Sequence, residues 1–208
     1  MKILEFVIAK YKEDASWVTI LEPHKITIYD KSNGTIPNIG RETHTYLHHI
    51  VNNYDNLADV TVFLQGNPFD HTTLSVSQAH SSISIDELSE RIKNYPFEKT
   101  EPFFTEFRYV EYKQGAHEFY KIMFGHERNP IVFNSGAQWI VQKKDILGRP
   151  LEFYKKLYEI SINFTITSAL VETSKMYHIV NGWVFERLWG YIFDPSIPIS
   201  PDIYDINI

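Results

Sequence analysis

Residues 36–71 carry the pattern that most narrows the fold of this chain. A polar loop leads to Gly40, and apolar residues then recur at helical spacing over residues 46–54. Val60–Leu64 is a β-branched, apolar run with the length of a buried strand, and a second polar loop follows it. The segment therefore predicts a helix and a strand with polar side chains at their ends, where open α/β sheets bind ligands.

Two earlier runs have the same strand character. Phe6–Ala9 is apolar, Ile26–Tyr29 ends in a turn-forming cluster, and Glu13–Leu21 between them is long enough for a short helix. The order strand, helix, strand, helix, strand predicts a parallel α/β arrangement. We therefore expect a single α/β domain with a Rossmann-like, mostly parallel central sheet flanked by helices.

The second half of the chain predicts further helices and strands. A capping box at Ser84 and Glu87 indicates a helix that runs through about Lys93. Other expected elements are strands over 131–133 and 138–141, a helix after Pro150 and a nearly all-apolar helix around Glu186. The expected parts of the chain are a first half over residues 1–95, a second half over 96–194 and an extended tail over 195–208.

Composition restricts the class of function. The chain has 208 residues, a net charge of −6 and no basic run, whereas nucleic-acid binders cluster Lys and Arg against the phosphate backbone. The absence of cysteine from the sequence excludes disulfides and thiolate metal sites. No stretch approaches the roughly 20 apolar residues of a membrane span, and a charge interrupts the first apolar run. We therefore expect a cytoplasmic protein without a membrane span or a nucleic-acid partner.

The first candidate site gathers residues at strand and helix ends. Tyr11 follows the first strand, and Asp30 after the second can accept hydrogen bonds from a base or a ribose. Asn38 lies in the loop before the helix, Gly40 lets the backbone approach a ligand, and Arg41 is placed for phosphate. Together these residues predict a nucleotide site. Taken singly, Asp30 is better explained as a turn residue, Gly40 as a loop bend and Arg41 as a surface charge.

The second candidate site follows the third strand. Gln65, Asn67, Asp70 and His71 supply two amides, a carboxylate and an imidazole that could coordinate Mg²⁺ or Mn²⁺, or bind a diphosphate. A single carboxylate is a weak basis for a tight ion site. The alternative is structural, with a turn at Asn67 and Pro68 and with Asp70 capping the segment that follows.

Glu186 is the candidate general base. It lies among apolar and aromatic residues of the last helix, where exclusion of water would make its carboxylate a stronger base. The alternative is an ion pair with Arg187 or a solvent-facing position. His44 and His48 have the i, i+4 spacing of a metal-binding pair, but no third ligand is evident, and ordinary packing is the favoured interpretation.

Blocks of sequence in order along nearly the whole chain carry a family resemblance. They are residues 9–14, 37–42 with Gly-Arg-Glu, 46–47, 63–68 with Phe-Leu-Gln-Gly, 136–139, 149–154 and 186–189 with Glu-Arg-Leu-Trp. These blocks resemble an uncharacterised domain family that is widespread in fungi and scattered among bacteria and viruses. Its relation to glycosyltransferases implies a glycosyltransferase A-like fold.

The chain also resembles nucleotide-sugar glycosyltransferases of the A fold, including rhamnan-synthesis-type enzymes with an Asn-x-Gly-Arg-acid loop. This resemblance implies that Tyr11 and Asp30 hold the nucleotide. It implies that Glu186 deprotonates an acceptor hydroxyl in an inverting transfer. The residues that would line the sugar or the acceptor are Gln138, Trp139 and Trp189.

The metal motif of such enzymes is altered in this chain. Gln65-Gly66-Asn67 stands where two carboxylates separated by one residue would hold the metal and the diphosphate. Two possibilities stay open. Either Asp70 and His71 hold Mn²⁺ or Mg²⁺, or the enzyme works without a metal.

The sequence therefore predicts a glycosyltransferase of the hexosyltransferase type. It would pass a sugar from a nucleoside-diphosphate sugar to a hydroxyl of a carbohydrate or glycan acceptor. One alternative, favoured by the amides of Gln65 and Asn67, is a noncatalytic sugar- or nucleotide-binding module of the same fold. A less favoured alternative is a metal hydrolase that uses His44, His48 and His71.

Overall fold

The structure is a computed structural model that describes residues 2–69, 83–104, 108–111, 114–162 and 180–206. The strands are β1 (Leu4–Lys10), β2 (Lys25–Asp30), β3 (Val60–Gln65), β4 (Glu101–Pro102), β5 (Arg108–Glu111), β6 (Ile131–Asn134) and β7 (Trp139–Gln142). The helices are α1 (Arg41–Asn53), α2 (Ile85–Asn94), α3 (Gln114–Phe124), α4 (Lys143–Leu147), α5 (Leu151–Ile162) and α6 (Val180–Ile192). The expected elements are therefore present, with Glu13–Leu21 giving a 3-10 helix over Ser16–Leu21.

A five-stranded mixed sheet organises the chain in the order β2-β1-β3-β7-β4. β1 lies parallel to both β2 and β3, whereas β7 runs antiparallel to β3 and to β4. The α/β class with flanking helices is confirmed, and the parallel arrangement applies to the first three strands. β6 pairs with β5 in a separate two-stranded sheet rather than joining the central one.

The two faces of the central sheet bury separate apolar cores. Alternate residues of β1 enter them, because side chains of a strand point to opposite faces: Phe6 packs with the 3-10 helix and α2, and Val7 packs with α1, α5 and α6. The larger core lies on the α1 face. There, Tyr46, Leu47 and Ile50 are all fully buried, as the helical spacing predicts.

Connections leave the carboxyl ends of β1 and β2 toward opposite faces of the sheet. The segment after β1 forms the 3-10 helix, whose Trp17 and Leu21 pack on the Phe6 face. The segment after β2 leads to α1 on the other face. The carboxyl ends of these parallel strands lie at the edge of the sheet where open α/β folds bind ligands.

Arg149 fixes the far end of α6. Its side chain is 2% exposed and donates hydrogen bonds to carbonyl oxygens of Tyr191, Ile192, Asp194 and Ile197. The last carbonyls of a helix lack partners within the helix, and a cation also interacts favourably with the negative end of the helix dipole. Arg149 therefore ends α6 and ties the segment that follows α6 to the loop between α4 and α5.

We predict that Arg149→Met destabilises the protein by about 3 kcal/mol, because several buried carbonyl groups lose their donors together. Urea unfolding followed by circular dichroism measures the change. Lys155→Met is the control, since its ammonium makes an exposed pair with Glu152 that contributes only about 0.5 kcal/mol. Equal stability of the two variants would contradict the assigned role of Arg149.

Candidate functional site

An ion pair links the carboxyl ends of β1 and β2. Nζ of Lys10 lies 2.5 Å from Oδ2 of Asp30, and the Asp30 carboxylate also accepts hydrogen bonds from the backbone and the hydroxyl of Ser32. The hydrogen bond from Lys10, reinforced by those from Ser32, lowers the pKa of the Asp30 carboxyl to about 2. Asp30 is thus a turn residue, as the alternative interpretation of the sequence has it. Its carboxylate remains charged beside the Lys10 ammonium.

A buried lysine holds the loop that leads into α1. Lys31 is 6% exposed, and its ammonium donates hydrogen bonds to the carbonyl oxygens of Ile39, at 2.8 Å, and of Arg41. Burial lowers the pKa of the Lys31 ammonium to about 8. The cation therefore lies directly beneath the first residue of α1, with carbonyl oxygens as its hydrogen-bond acceptors.

The start of α1 adopts a backbone conformation that favours glycine. Gly40 has φ +60° and the next residue, Arg41, has φ +50°, a region that costs energy for a residue with a side chain. A Cβ atom at Gly40 would lie 2.9 Å from the carbonyl oxygen of Ser161 in α5. Gly40 is therefore required both by its φ angle and by the close approach of α5.

Arg41 joins α1 to α6. A Cβ atom at Gly182 of α6 would lie 2.7 Å from Cδ of Arg41, so the aliphatic part of this side chain packs against the helix backbone. The residue as a whole remains exposed. Backbone N–H groups at a helix N-terminus and a guanidinium beside them are the usual groups that bind phosphate.

Glu186 lies one turn along α6 from Gly182. Its carboxylate accepts a hydrogen bond of 2.6 Å from the backbone N–H of Gly136, and its side chain is 20% exposed. Nη1 of Arg187 lies 3.9 Å from Oε2 of Glu186. The residue after Gly136, Ala137, has φ +50°, so a strained backbone orients the donor. Glu186 is thereby fixed in place and still reaches solvent.

Glu42 is a second carboxyl at this junction. It lies in the first turn of α1, is partly buried, and makes no ion pair with any Lys or Arg in the described part of the chain. Burial raises the pKa of the Glu42 carboxyl; the charge of Glu186 raises it further, while Arg41 and Lys31 oppose the rise. The hydroxyl of Tyr46, one turn further on, is buried and has no hydrogen-bond partner among the described residues.

These contacts define the α1–α6 junction, the candidate site. Its members are Lys31, Gly40, Arg41, Glu42, Gly136, Ala137, Gly182 and Glu186. It combines cations and N–H groups at a helix start with two carboxyls. Burial raises the pKa of one of them, Glu42, and a backbone donor holds the other, Glu186. Such a set can bind an anionic group and exchange protons beside it.

The other residues of the predicted nucleotide site lie outside this junction. Tyr11 is 37% exposed, and the Lys12 ammonium lies 5.0 Å from its ring centroid. Asn38 is exposed. Asp30 is the last residue of β2 and directly precedes Lys31. The structure therefore packs Arg41 against the helix that carries Glu186, and leaves Tyr11 and Asn38 at the surface.

The loop after β3 packs tightly against the β1 end of the sheet. The backbone N–H of Gly66 donates to Ala9, and its carbonyl accepts a 2.8 Å hydrogen bond from Nε1 of Trp17. The amide oxygen of Asn67 accepts a hydrogen bond from the backbone of Phe69, which forms the expected turn. Gln65 is partly buried at the end of β3. The predicted ligands Asp70 and His71 lie outside the described residues.

The predicted sugar-lining residues point in different directions. Gln138 is buried beside the β3 loop, where its amide donates to the carbonyl of Pro68 at 3.3 Å. Trp139, next along the strand, packs into the core of the opposite face with Phe193. Trp189 is fully buried and stacks on Phe193 with ring centroids 5.1 Å apart. Both tryptophans are therefore core residues.

His44 and His48 pack together on α1. Nε2 of His44 lies 3.1 Å from the hydroxyl of Tyr158, and the two imidazole rings stack at 6.0 Å. Burial lowers the pKa of His44 to about 4. Within the described ranges, no group of three or more His, Asp or Glu residues is arranged to hold a metal ion.

Sequence reasoning missed the roles of Lys31 and Glu42. Lys31 belongs to a polar, turn-forming cluster in the sequence. Its ammonium is buried because the loop before α1 closes over it, and no local pattern predicts this. Glu42 was part of the Gly-Arg-Glu block. Its neighbour in the fold, Glu186, is far away in the sequence, so no local pattern indicates that the two carboxyls lie near each other. The block itself was the usable signal, since it marked the loop that the structure places at the junction.

A family model described as "Protein of unknown function (DUF3431)" matches residues 6–204 of the chain. The chain belongs to the DUF3431 family. The DUF3431 match includes every residue of the α1–α6 junction, and the expected membership of an uncharacterised family is confirmed. Searches of curated proteins and of solved structures found no match.

Among the described helices, none combines the length and the apolar character that crossing a bilayer requires.

We predict that Glu42→Gln makes folding stability less dependent on pH. The folded-state pKa of Glu42 is raised above its ordinary value of 4.5, so its contribution is fully present below about pH 4.5 and is lost as the pH rises through the folded-state pKa. Glutamine cannot ionise, so the variant keeps this stability at pH 7. Urea unfolding of both proteins between pH 4 and 8 measures the difference.

The matched control for this experiment is Glu152→Gln, a substitution at an exposed carboxyl on α5. It should follow the wild-type pH dependence. Glu186→Gln should reduce the pH-dependent loss of the wild type, because it removes the neighbouring negative charge. Parallel curves for wild type and Glu42→Gln would show that burial does not perturb Glu42.

Proposed function

We propose that this protein is a glycosyltransferase that moves a sugar from a nucleoside-diphosphate sugar to an acceptor hydroxyl. The observation that carries the proposal is the contact of Arg41 with Gly182. It joins the start of α1, with its exposed guanidinium, to the helix that bears Glu186. A helix start suited to binding phosphate and a candidate base thus lie on adjoining helices.

Three of the sequence blocks that carry the family resemblance meet at this junction. The 136–139 block is hydrogen-bonded to the 186–189 block through Gly136 and Glu186. The 37–42 block contacts the same helix through Arg41. Segments that are far apart in the sequence and share one resemblance therefore also share one location, which supports a common function.

The donor diphosphate would lie at the start of α1. The first N–H groups of a helix lack partners within the helix and carry partial positive charge. Arg41 adds a guanidinium there, and the Lys31 ammonium lies directly below. These charges would stabilise the negative charge that develops on the leaving diphosphate.

In the proposed transfer, Glu186 acts only as the general base. The acceptor oxygen attacks the anomeric carbon and forms the new glycosidic bond, while the bond from that carbon to the phosphate oxygen breaks. The nucleoside diphosphate leaves with the electron pair of the broken bond. The Glu186 carboxylate takes the proton of the acceptor hydroxyl, and attack from the face opposite the leaving group inverts the anomeric centre.

A divalent cation would need ligands beyond the described residues. Gln65 and Asn67 provide amides where the related enzymes have acids, and Asn67 already accepts a hydrogen bond from Phe69. Asp70 and His71 are the candidate ligands for Mn²⁺ or Mg²⁺ in this loop. Binding measured with and without Mn²⁺ separates the metal-dependent and metal-independent forms of the proposal.

One observation favours a noncatalytic binding module instead. Asp30, the residue expected to hold the base or ribose, is already paired with Lys10 and Ser32. A module would bind a nucleotide sugar at the α1–α6 junction without turning it over. Incubation of the bound complex with acceptors, followed by mass spectrometry, distinguishes it from the transferase.

We predict that calorimetric titration detects binding of a UDP- or GDP-sugar to the wild-type protein. Arg41→Ala should weaken binding by about tenfold, because it removes a charge-assisted contact to phosphate. Glu186→Gln should preserve binding and abolish transfer, since the amide keeps the size of the side chain and loses the basic oxygen. Lys99→Ala, which removes an exposed ammonium, is the control for loss of charge.

Absence of binding with every UDP- and GDP-sugar, in the presence and absence of Mn²⁺, would refute the proposal. Full transfer activity in Glu186→Gln would refute the assigned base alone.

A further inference from the structure

β2 is an edge strand of the central sheet. The strand order places β2 outermost on one side and β4 outermost on the other. Among the strands of the described ranges, only β1 pairs with β2. Alternate N–H and C=O groups of an edge strand point away from its neighbour and form a row of main-chain donors and acceptors. β2 therefore has the hydrogen-bonding groups that a further strand needs.

The two edges of the sheet differ in their protection against added strands. Proteins prevent pairing at an edge with short strands, charges and proline, and β4 consists of Glu101 and Pro102 alone. β2 has six residues without proline or glycine, and its charged residues, Lys25 and Asp30, are its two ends. The β-branched centre of β2 thus lacks the usual protection.

β2 also exposes apolar surface. Ile28 is 42% exposed. Ile26 lies on the same side of the sheet, because side chains alternate along a strand, and it is only partly buried against the core that contains Phe6. A strand added beside β2 would cover Ile28 and extend this core past the edge, which removes apolar area from water.

We propose that β2 is a dimer interface, at which it pairs antiparallel with β2 of a second copy of this chain. The two central sheets then form one continuous sheet around a two-fold axis, the commonest symmetry of protein dimers. This axis is perpendicular to the sheet, so each face of one sheet continues as the same face of the other. The inference is independent of the proposed transferase activity.

The sequence of β2 complements itself in one register. With Thr27 facing Thr27 of the second copy, Ile26 of each strand faces Ile28 of the other, and the four isoleucines pack on the side of the Phe6 core. Lys25 of each strand faces Tyr29 of the other, which sets an ammonium beside a phenol ring. No like charges face each other in this register.

The Lys25 charge is balanced within its own chain. Nζ of Lys25 lies 3.0 Å from Oε2 of the buried Glu5, while 54% of the Lys25 side chain is exposed. The second copy can therefore cover the exposed part of this side chain without leaving an unpaired cation at the interface.

The two neighbouring registers that keep the same symmetry fit less well. A pair centred on Ile28 places Ile26 opposite Asp30, and a pair centred on Ile26 places Ile28 opposite His24. Each of them leaves isoleucines facing charged or polar side chains, which contributes less than an apolar pair. We therefore assign the register centred on Thr27.

Sedimentation velocity of the full chain at a series of concentrations measures the association. We expect a wild-type dimer that dissociates on dilution. Ile28→Lys should weaken it by about tenfold or more, because the new ammonium faces Ile26 and loses water on pairing. The matched control is Leu147→Lys on α4, since Leu147 is also 42% exposed. It should leave the dimer unchanged.

Cysteine cross-linking tests the register without altering the isoleucines. The sequence contains no cysteine, so Thr27→Cys introduces a single thiol that faces its own copy in the dimer. Cβ atoms of facing residues lie about 4.5–5.5 Å apart, close to the separation that a disulfide spans. Mild oxidation should therefore join the chains. Ser196→Cys, at an exposed position near the C-terminus, is the control and should not cross-link.

The cross-link of Thr27→Cys, together with dissociation by Ile28→Lys, supports the interface, and circular dichroism checks that each variant is folded. If Ile28→Lys does not fold, the cross-link alone decides. A wild-type protein that is monomeric at its highest soluble concentration overturns the inference. A dimer that persists in folded Ile28→Lys, or that fails to cross-link through Thr27→Cys, also overturns it. Association beyond two chains does so as well, because a two-fold contact closes at a dimer.

Discussion

The hydrogen bonds of the buried Lys31 ammonium fix the geometry on which the site depends. They reach the carbonyls of Ile39 and Arg41 and so hold the chain where it turns into α1. Buried cations must be matched by oriented polar groups, and this requirement forces the loop to close over the side chain. Closure then sets the direction of Arg41 and places the first turn of α1 against α6.

The α1–α6 junction consequently contains backbone residues in strained conformations and a helix that is held at both ends. Arg41 and Ala137 both have positive φ, and such residues persist only where the surrounding structure over-determines them. Ala137 belongs to the loop that donates to Glu186, and Arg149 ties the other end of α6 to the loop between α4 and α5. A helix held at both ends keeps its carboxylate in a defined place, which proton transfer requires.

Local patterns predicted the elements well, and long-range contacts explain what they missed. The period of α1 and the capping box at Ser84 and Glu87 are local, and both are present. The antiparallel return of β7 and the separate β5–β6 sheet depend on pairing across the chain, which short apolar runs do not specify. The sequence shows that Glu186 is surrounded by apolar and aromatic residues along its helix. Only the packing shows that Trp189 is buried and Trp183 is exposed.

A crystal structure of the protein with UDP or GDP, whichever binds in titration, tests the central claim most directly. We expect the diphosphate at the N–H groups that begin α1, beside Arg41. We also expect Glu186 to face the space next to the terminal phosphate. A nucleotide bound elsewhere on the molecule, with the α1–α6 junction unoccupied, would contradict the account.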